Sequence, residues 1–579
     1  MALPVETIDC DVLVIGAGGA GLRAAIAATQ AGAKTAVVSK SLLGKAHTVM
    51  AEGGVAASLG NVDPADDWKT HFQDTLFGGK YLNNWRMAEL HAKEAPERVI
   101  ELEHWGAVFD RTRDQRMSQR AFGGHTYKRL VHIGDRTGRE LIRTVQDRAV
   151  HGGAEVYMEY TITRLLRDGD RVCGAFGYRR ATGDLVVWRA RSVVMASGGT
   201  GKLFRINSNS WEGTGDGHAL ALDVGATLID MEFVQFHPTG MVWPPGVIGL
   251  LVTEAVRGEG GILRNSEGER FMERYDPKRM ELSTRDVVAR AIYTEVREGR
   301  GTPHGGVFLD VSHLPAKTVR KRLPSMYDQF LELAGVDITR EPMEVGPTCH
   351  YMMGGVKVDA ETGATSVPGL FACGECSGGM NGANRLGGNS LSDLLVFGKR
   401  AGEGAAAAAA AAALPAVDQA EVAEAEAELD GYFTSGGDED PYELHADLQS
   451  MLQENVGIFR EESGLVRALS RLEEYRERLR KVHVPVGSRA WNPSWNLCRD
   501  LKNMLTVAEA ITRAALMREE SRGAHSRLDF PQFADYWGRH NIAVTKTDDG
   551  RIAVEPVPVV TVPELEPLVE ERKAKEAAG

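Results

Sequence analysis

A short apolar run, Val12 to Ile15, stops at glycines spaced GxGxxG (Gly16, Gly18, Gly21). An alanine-rich stretch follows, and a second apolar run spans Thr35 to Ser39. Few folds accommodate this order. A buried strand, a glycine turn, a helix and a second strand within about 30 residues make a βαβ unit that binds a dinucleotide. The glycines let the backbone approach a pyrophosphate at the helix N-terminus. The second run ends in Ser39-Lys40, where an acid for the ribose hydroxyls usually stands. That weakens an NAD reading and leaves FAD open.

Two further strand-like runs also lead into glycine clusters. Ser192 to Ala196 precedes SGGTG, and Gly369 to Cys373 precedes GECSGG. These distant segments read as parts of one nucleotide-binding domain, which makes Phe236 to Met353 an insertion. Past Gly402, Glu421 to Leu429 and Gly464 to Lys481 carry dense charge with Leu and Val at helical spacing, as a surface bundle does. The alanine run Ala405 to Ala413 reads as plain helix. A Val-rich, Pro-punctuated strand region lies in the tail beyond Phe530.

Composition narrows the function. The chain has 579 residues and a net charge of -13, which argues against nonspecific nucleic-acid binding, since phosphate contacts need clustered Lys and Arg. A local cationic pocket for an anionic substrate remains compatible with that balance. The six cysteines (10, 173, 349, 373, 376, 498) form no disulfide framework and fit a reducing compartment. Met1 to Asp9 shows no signal-peptide pattern, and no apolar run reaches the roughly 20 residues of a membrane span. Cys373 and Cys376 form a lone CxxC inside the segment expected to face the dinucleotide. With no second pair, neither a redox dithiol nor a metal site is expected.

Beyond the fingerprint come KAHTVMAEGGVAAS (45–58), QFHPTG (235–240), TEAVRGEGG (253–261), RDVVAR (285–290), CHYMMGG (349–355) and NRLGGNSLSD (384–393). In this order they resemble the flavoprotein subunit shared by succinate dehydrogenases, fumarate reductases and, more distantly, L-aspartate oxidase. The resemblance runs through REESRGAH (518–525). It implies an α/β fold, α+β overall. A Rossmann-like FAD-binding domain (1–235 and 354–404) carries an inserted capping domain (236–353), followed by a helical domain (405–520) and a small C-terminal domain (521–579).

The same resemblance implies covalent FAD through His47, a histidine that L-aspartate oxidase lacks. Its FAD contacts map onto Gly16, Ala17, Gly18, Gly19, Ala20, Gly21, Ser39, Lys40, Thr48, Glu52, Gly53, Gly54, Asp216, Glu375, Ser390 and Leu391. Succinate and fumarate are dianions, so donors or cations are needed at both ends. The family's residues for this correspond to His237 and Thr253 on one side and His350 and Arg385 on the other. The proton carrier maps onto Arg290, the arginine closing DVVAR, with Glu254 and Arg257 as its relay. Arginine titrates above about 12, and holding it neutral at pH 7 costs about 1.36 kcal/mol per pKa unit. Arg290 is therefore expected to shuttle a proton rather than wait as a neutral base.

Two rival readings are a thiol–disulfide flavoenzyme using Cys373 and Cys376, and a nonenzymatic nucleotide-binding assembly protein. The first lacks a nicotinamide fingerprint, and the second does not explain the polar set. The expected activity is oxidation of succinate to fumarate by hydride transfer to FAD, with fumarate reduction as the alternative. Glu52 stands where the family's succinate dehydrogenases generally carry Gln, whereas SLLGKAHTVMAEGG and MVWPP resemble an actinobacterial-type branch of succinate dehydrogenases. The resemblance further implies three partners: an iron–sulfur subunit, membrane anchor subunits and, indirectly, quinone. It places the chain at the cytoplasmic face of a bacterial plasma membrane.

Overall fold

The computed structural model describes residues 5–484 and 488–578. Its central sheet runs, edge to edge, Glu155–Met158, Thr35–Ser39, Glu6–Ile15, Leu185–Met195, Arg171–Arg179 and Tyr160–Asp168. Val12 to Ile15 is buried because both faces of the sheet are covered, and it pairs in parallel with Thr35 to Val38 on one side and Ser192 to Met195 on the other. A continuous apolar run is what such a doubly covered strand requires. The strand begins earlier than its apolar run, at Glu6, where its residues become exposed.

Leu185–Met195 is the branching strand. Its first half pairs antiparallel with Arg171–Arg179, and its last three residues pair in parallel with Leu370–Ala372. The chain thus returns to the same sheet after a long excursion.

The excursion builds a second sheet, in the order Val234–Met241, Met343–Met352, Val307–Asp310 and Ile262–Arg264. The helix Arg285–Glu295 packs on it, over an apolar core that includes Val288, Ile292, Leu309 and Met343. Four helices (Gln419–Thr434, Pro441–Asn455, Glu462–Arg480 and Pro493–Met517) follow. The strands His540–Lys546 and Ile552–Pro558 then extend a small sheet through Leu228–Ile229. Among the described residues, no helix is long and apolar enough to cross a membrane.

Candidate active site

The glycine turn works by steric exclusion. Gly16 has φ +117°, and a Cβ there would collide with the Ala196 carbonyl; a Cβ on Gly21 would strike the Gly16 carbonyl. The helix Gly19–Gln30 starts at Gly18 with no side-chain cap, so its first-turn N–H groups, except that of Gly19, which donates to Thr48 Oγ1 at 3.2 Å, are open to an anion. Gly16, Ala17, Gly18, Gly19 and Ala20 line one elongated pocket, while Gly21 sits beneath them.

Ser39 and Lys40 line the same pocket where the second strand ends. The Lys40 ammonium donates to Asp216 at 2.9 Å and to Asp500 at 2.5 Å. Burial pulls the Lys40 pKa down, but the two carboxylates outweigh it and hold it raised. Asp500, which no sequence motif marked, belongs to the helix Pro493–Met517.

Further along lie His47, Thr48, Glu52, Gly53 and Gly54, with Glu375, Ser390 and Leu391 opposite. Burial, with Arg385 and Lys202 nearby, lowers His47 to about 4, so its ring is neutral at pH 7. Its Nδ1 has no hydrogen-bond partner, and neither has Glu52 Oε2. Burial and Asp135 push Glu52 well above the usual carboxylate range, against the pull of Arg120. Glu375 is raised to about 7 by burial, opposed by the Met352 N–H it accepts at 3.0 Å and by Arg385. A main-chain cradle, an uncapped helix start and these orphaned side-chain atoms fit a flavin dinucleotide.

Beyond Glu52 and Glu375 the pocket meets the inserted sheet. His237, Thr253, Glu254 and His350 converge there with Arg385 and Ser390. The His237 and His350 ring centroids are 5.2 Å apart, and those of His350 and His47 are 5.9 Å apart. His350 Nδ1 lies 2.8 Å from Ser208 Oγ, and His237 Nδ1 lies 2.9 Å from the Thr239 carbonyl. Burial, with Arg285 next in weight, keeps both rings far below the ordinary histidine pKa. Arg385 rests 4.2 Å above the Tyr351 ring and donates to Ser390 Oγ at 2.7 Å. Burial, with Arg285 beside it, lowers Arg385 to about 9.

The arginine of the RDVVAR helix that reaches this pocket is Arg285, and this corrects the expectation for Arg290. Arg285 opens the helix Arg285–Glu295 and is 7% exposed. Its Nε donates to Glu254 Oε2 at 2.8 Å, and its Nη1 donates to Gln235 Oε1 at 3.2 Å. Arg385 Nη2 donates to the same Gln235 oxygen at 3.0 Å. Arg290 lies five residues on, about 140° further round the helix. It turns away from the pocket to Asp286 and the Gly523 carbonyl.

Glu254 also accepts from the Gly123 N–H at 2.8 Å. Burial raises its carboxyl, but Arg285 and Arg257 outweigh that and hold it below the usual range. Arg257 stands 3.8 Å from Glu254, buried behind the pocket wall, with Nη1 on the Glu281 carbonyl at 2.6 Å. The pair is not a surface salt bridge. Burial keeps Cys373 and Cys376 protonated, with Cys376 raised to about 11.

A dinucleotide cradle that opens onto a doubly cationic pocket defines a flavin-dependent oxidoreductase. The FAD binding domain family matches residues 11–391, and the fumarate reductase flavoprotein C-terminal family matches 445–573. A solved structure of Mycobacterium smegmatis Sdh1 in complex with UQ1 is 54% identical, with a TM-score of 0.87 and 96% of each chain covered. A Methanothermobacter marburgensis protein, a fumarate reductase (CoM/CoB) subunit, is 48% identical over 92% of this chain and 97% of its own. A solved structure of the E. coli quinol fumarate reductase FrdA, in a point-mutant form, is 36% identical, with a TM-score of 0.91, covering 96% of this chain and 98% of its own. The chain belongs to the succinate dehydrogenase/fumarate reductase flavoprotein family.

Proposed function

We propose that this chain oxidises succinate to fumarate on FAD carried covalently by His47. The observation that carries the reading is the convergence of Arg285 and Arg385 on one amide oxygen, with His237 and His350 in the same pocket. Two buried cations beside two neutral imidazoles suit a short dianion with a carboxylate at each end. His237 and Thr253 hold one carboxylate, and His350 and Arg385 hold the other.

When bound, FAD supplies the acceptor for the hydride leaving one substrate methylene. Arg285 takes the proton from the neighbouring carbon and passes one to Glu254. Arg257 continues the relay. Because a guanidinium is charged at rest, Arg285 takes up a proton only as it gives one to Glu254, which its 2.8 Å contact permits. The cradle from Gly16 to Gly21, with Ser39, Lys40, Asp216, Glu375, Ser390 and Leu391, holds the dinucleotide, and Thr48, Glu52, Gly53 and Gly54 frame its ring end. The neutral His47 ring keeps a nitrogen lone pair free to bond the flavin.

Glu52, half-buried in the pocket beside the ring end, favours fumarate reduction as a second reading, as does the name of the Methanothermobacter relative. In either direction electrons pass between the flavin and quinone through an iron–sulfur subunit and membrane anchor subunits, at the cytoplasmic face of the plasma membrane: outward when succinate is oxidised, inward when fumarate is reduced. The succinate dehydrogenases and fumarate reductases among the relatives support that arrangement.

Anaerobic titration with succinate and with fumarate, comparing the two rates, tests both function and direction. Turnover of neither would end the dicarboxylate reading. For the linkage, acid-denatured protein should keep flavin fluorescence on the polypeptide in a gel. His47→Ser should keep FAD noncovalently and lose succinate oxidation more than fumarate reduction.

A further inference from the structure

Arg290 has no place in the pocket, yet it joins two parts of the molecule. Its Nη1 donates to the Gly523 carbonyl at 2.6 Å, and its Nη2 pairs with Asp286 at 3.1 Å. On the same helix, the Tyr293 ring packs against Phe459 with centroids 5.6 Å apart, and Arg297 just beyond it lies 5.7 Å from that ring. The inserted domain is thus fastened at one edge to the segments around residues 459 and 523.

The acceptor on the far side is itself fixed. Gly523 has φ +57°, and a Cβ there would collide with the Ala383 carbonyl. That carbonyl accepts the Ala524 N–H at 2.9 Å. Ala383 stands two residues before Arg385. A chain of short contacts therefore runs from Arg290 through Gly523 and Ala383 to the pocket arginine, and Arg285 heads the helix from which it starts.

We propose that Arg290, supported by Tyr293 and Arg297, is a latch that holds the helix bearing Arg285 against the segment bearing Arg385, and so sets the spacing of the two guanidinium groups across the pocket. Arg290 is a positioning residue. The inference rests on the dicarboxylate reading of the pocket. Releasing the latch lowers the fraction of molecules with both arginines in register. Apparent substrate affinity falls by that fraction, while saturating substrate restores the register.

The test uses FAD-loaded protein carrying Arg290→Ala, Arg290→Lys or Tyr293→Ala. Amide hydrogen exchange is read at residues 285–300 and 521–525, beside kinetics with succinate and a soluble dye. Arg290→Ala should speed exchange in both segments, and Arg290→Lys should partly restore protection. KM should rise about tenfold with kcat within about threefold of the parent. Tyr293→Ala should move the same readouts in the same direction. If the parent turns over no dicarboxylate, the functional reading fails, and exchange alone still decides the latch. Unchanged exchange in both segments of Arg290→Ala would overturn it. So would a collapse of kcat at unaltered KM, which would return the proton to Arg290.

Discussion

At the scale of single residues, the Gln235 amide oxygen accepts from Arg285 and Arg385 at once, and so holds two like charges together in a buried space. Such an arrangement is stabilised by whatever anion enters it. Arg285→Gln keeps a polar side chain at the same place but cannot carry a proton. It should lower kcat on the order of a thousandfold while FAD stays bound. A variant within tenfold of the parent would remove Arg285 from the proton path. The sequence showed RDVVAR as a unit and did not show which arginine faces inward. Helical spacing separates the two arginines, but what packs on each face is set by the sheet at 234–352 and the turn at 521–525, distant in the chain. Asp500 was hidden for the same reason. It is one acid among the few charges of a mostly buried helix, and only its approach to Lys40 gives it a role.

The elements that a local pattern could specify were legible. The strand Thr35–Ser39 spans its apolar run, and the glycine turn sits where a βαβ unit places it, because buried parallel strands and close backbone approach each leave a residue signature. The inserted sheet was less legible. Its pairing of Val234–Met241 with Met343–Met352 joins segments about a hundred residues apart and shifts register at bulges. For the turn itself, Gly16→Ala should abolish FAD retention, since the new methyl group meets the Ala196 carbonyl. Flavin absorbance co-purifying at the parent's ratio would contradict this. The helix Asp216–Asp223 carries a pH term. Its His218 is fully buried, and burial lowers its pKa to about 4. An unfolded histidine titrates near 6.5. Between these values the unfolded chain binds a proton that the folded chain refuses, so stability is lost as pH falls. His218→Leu removes the term. Its Tm relative to the parent should therefore climb from pH 7 to pH 5 in calorimetry, and parallel pH profiles would show that His218 does not contribute.

On the scale of the whole molecule, the proposed oxidation of succinate needs an exit for its electrons. Among the described residues, no group of His, Cys, Asp or Glu is placed to hold a metal. On the proposed route through an iron–sulfur subunit, the purified chain should reduce a soluble dye with succinate yet leave membrane quinone oxidised. Quinone reduction at the rate of native membranes would show an exit within the chain itself. The pocket is also a meeting of distant sequence. One wall is Gly16 to Ala20, another is Ser390 and Leu391, and the lysine at the end of the second strand is held by Asp500. Pairing across such separations waits for the later segment to exist. A ribosome that has released the first four hundred residues has made the glycine turn, both pocket arginines and Asp216, but not Asp500, the second acid on Lys40. That corner of the cradle is consequently completed only in the nearly finished polypeptide, and a chain stalled before its last helices carries His47 and the glycine turn with one of the two acids on Lys40 missing.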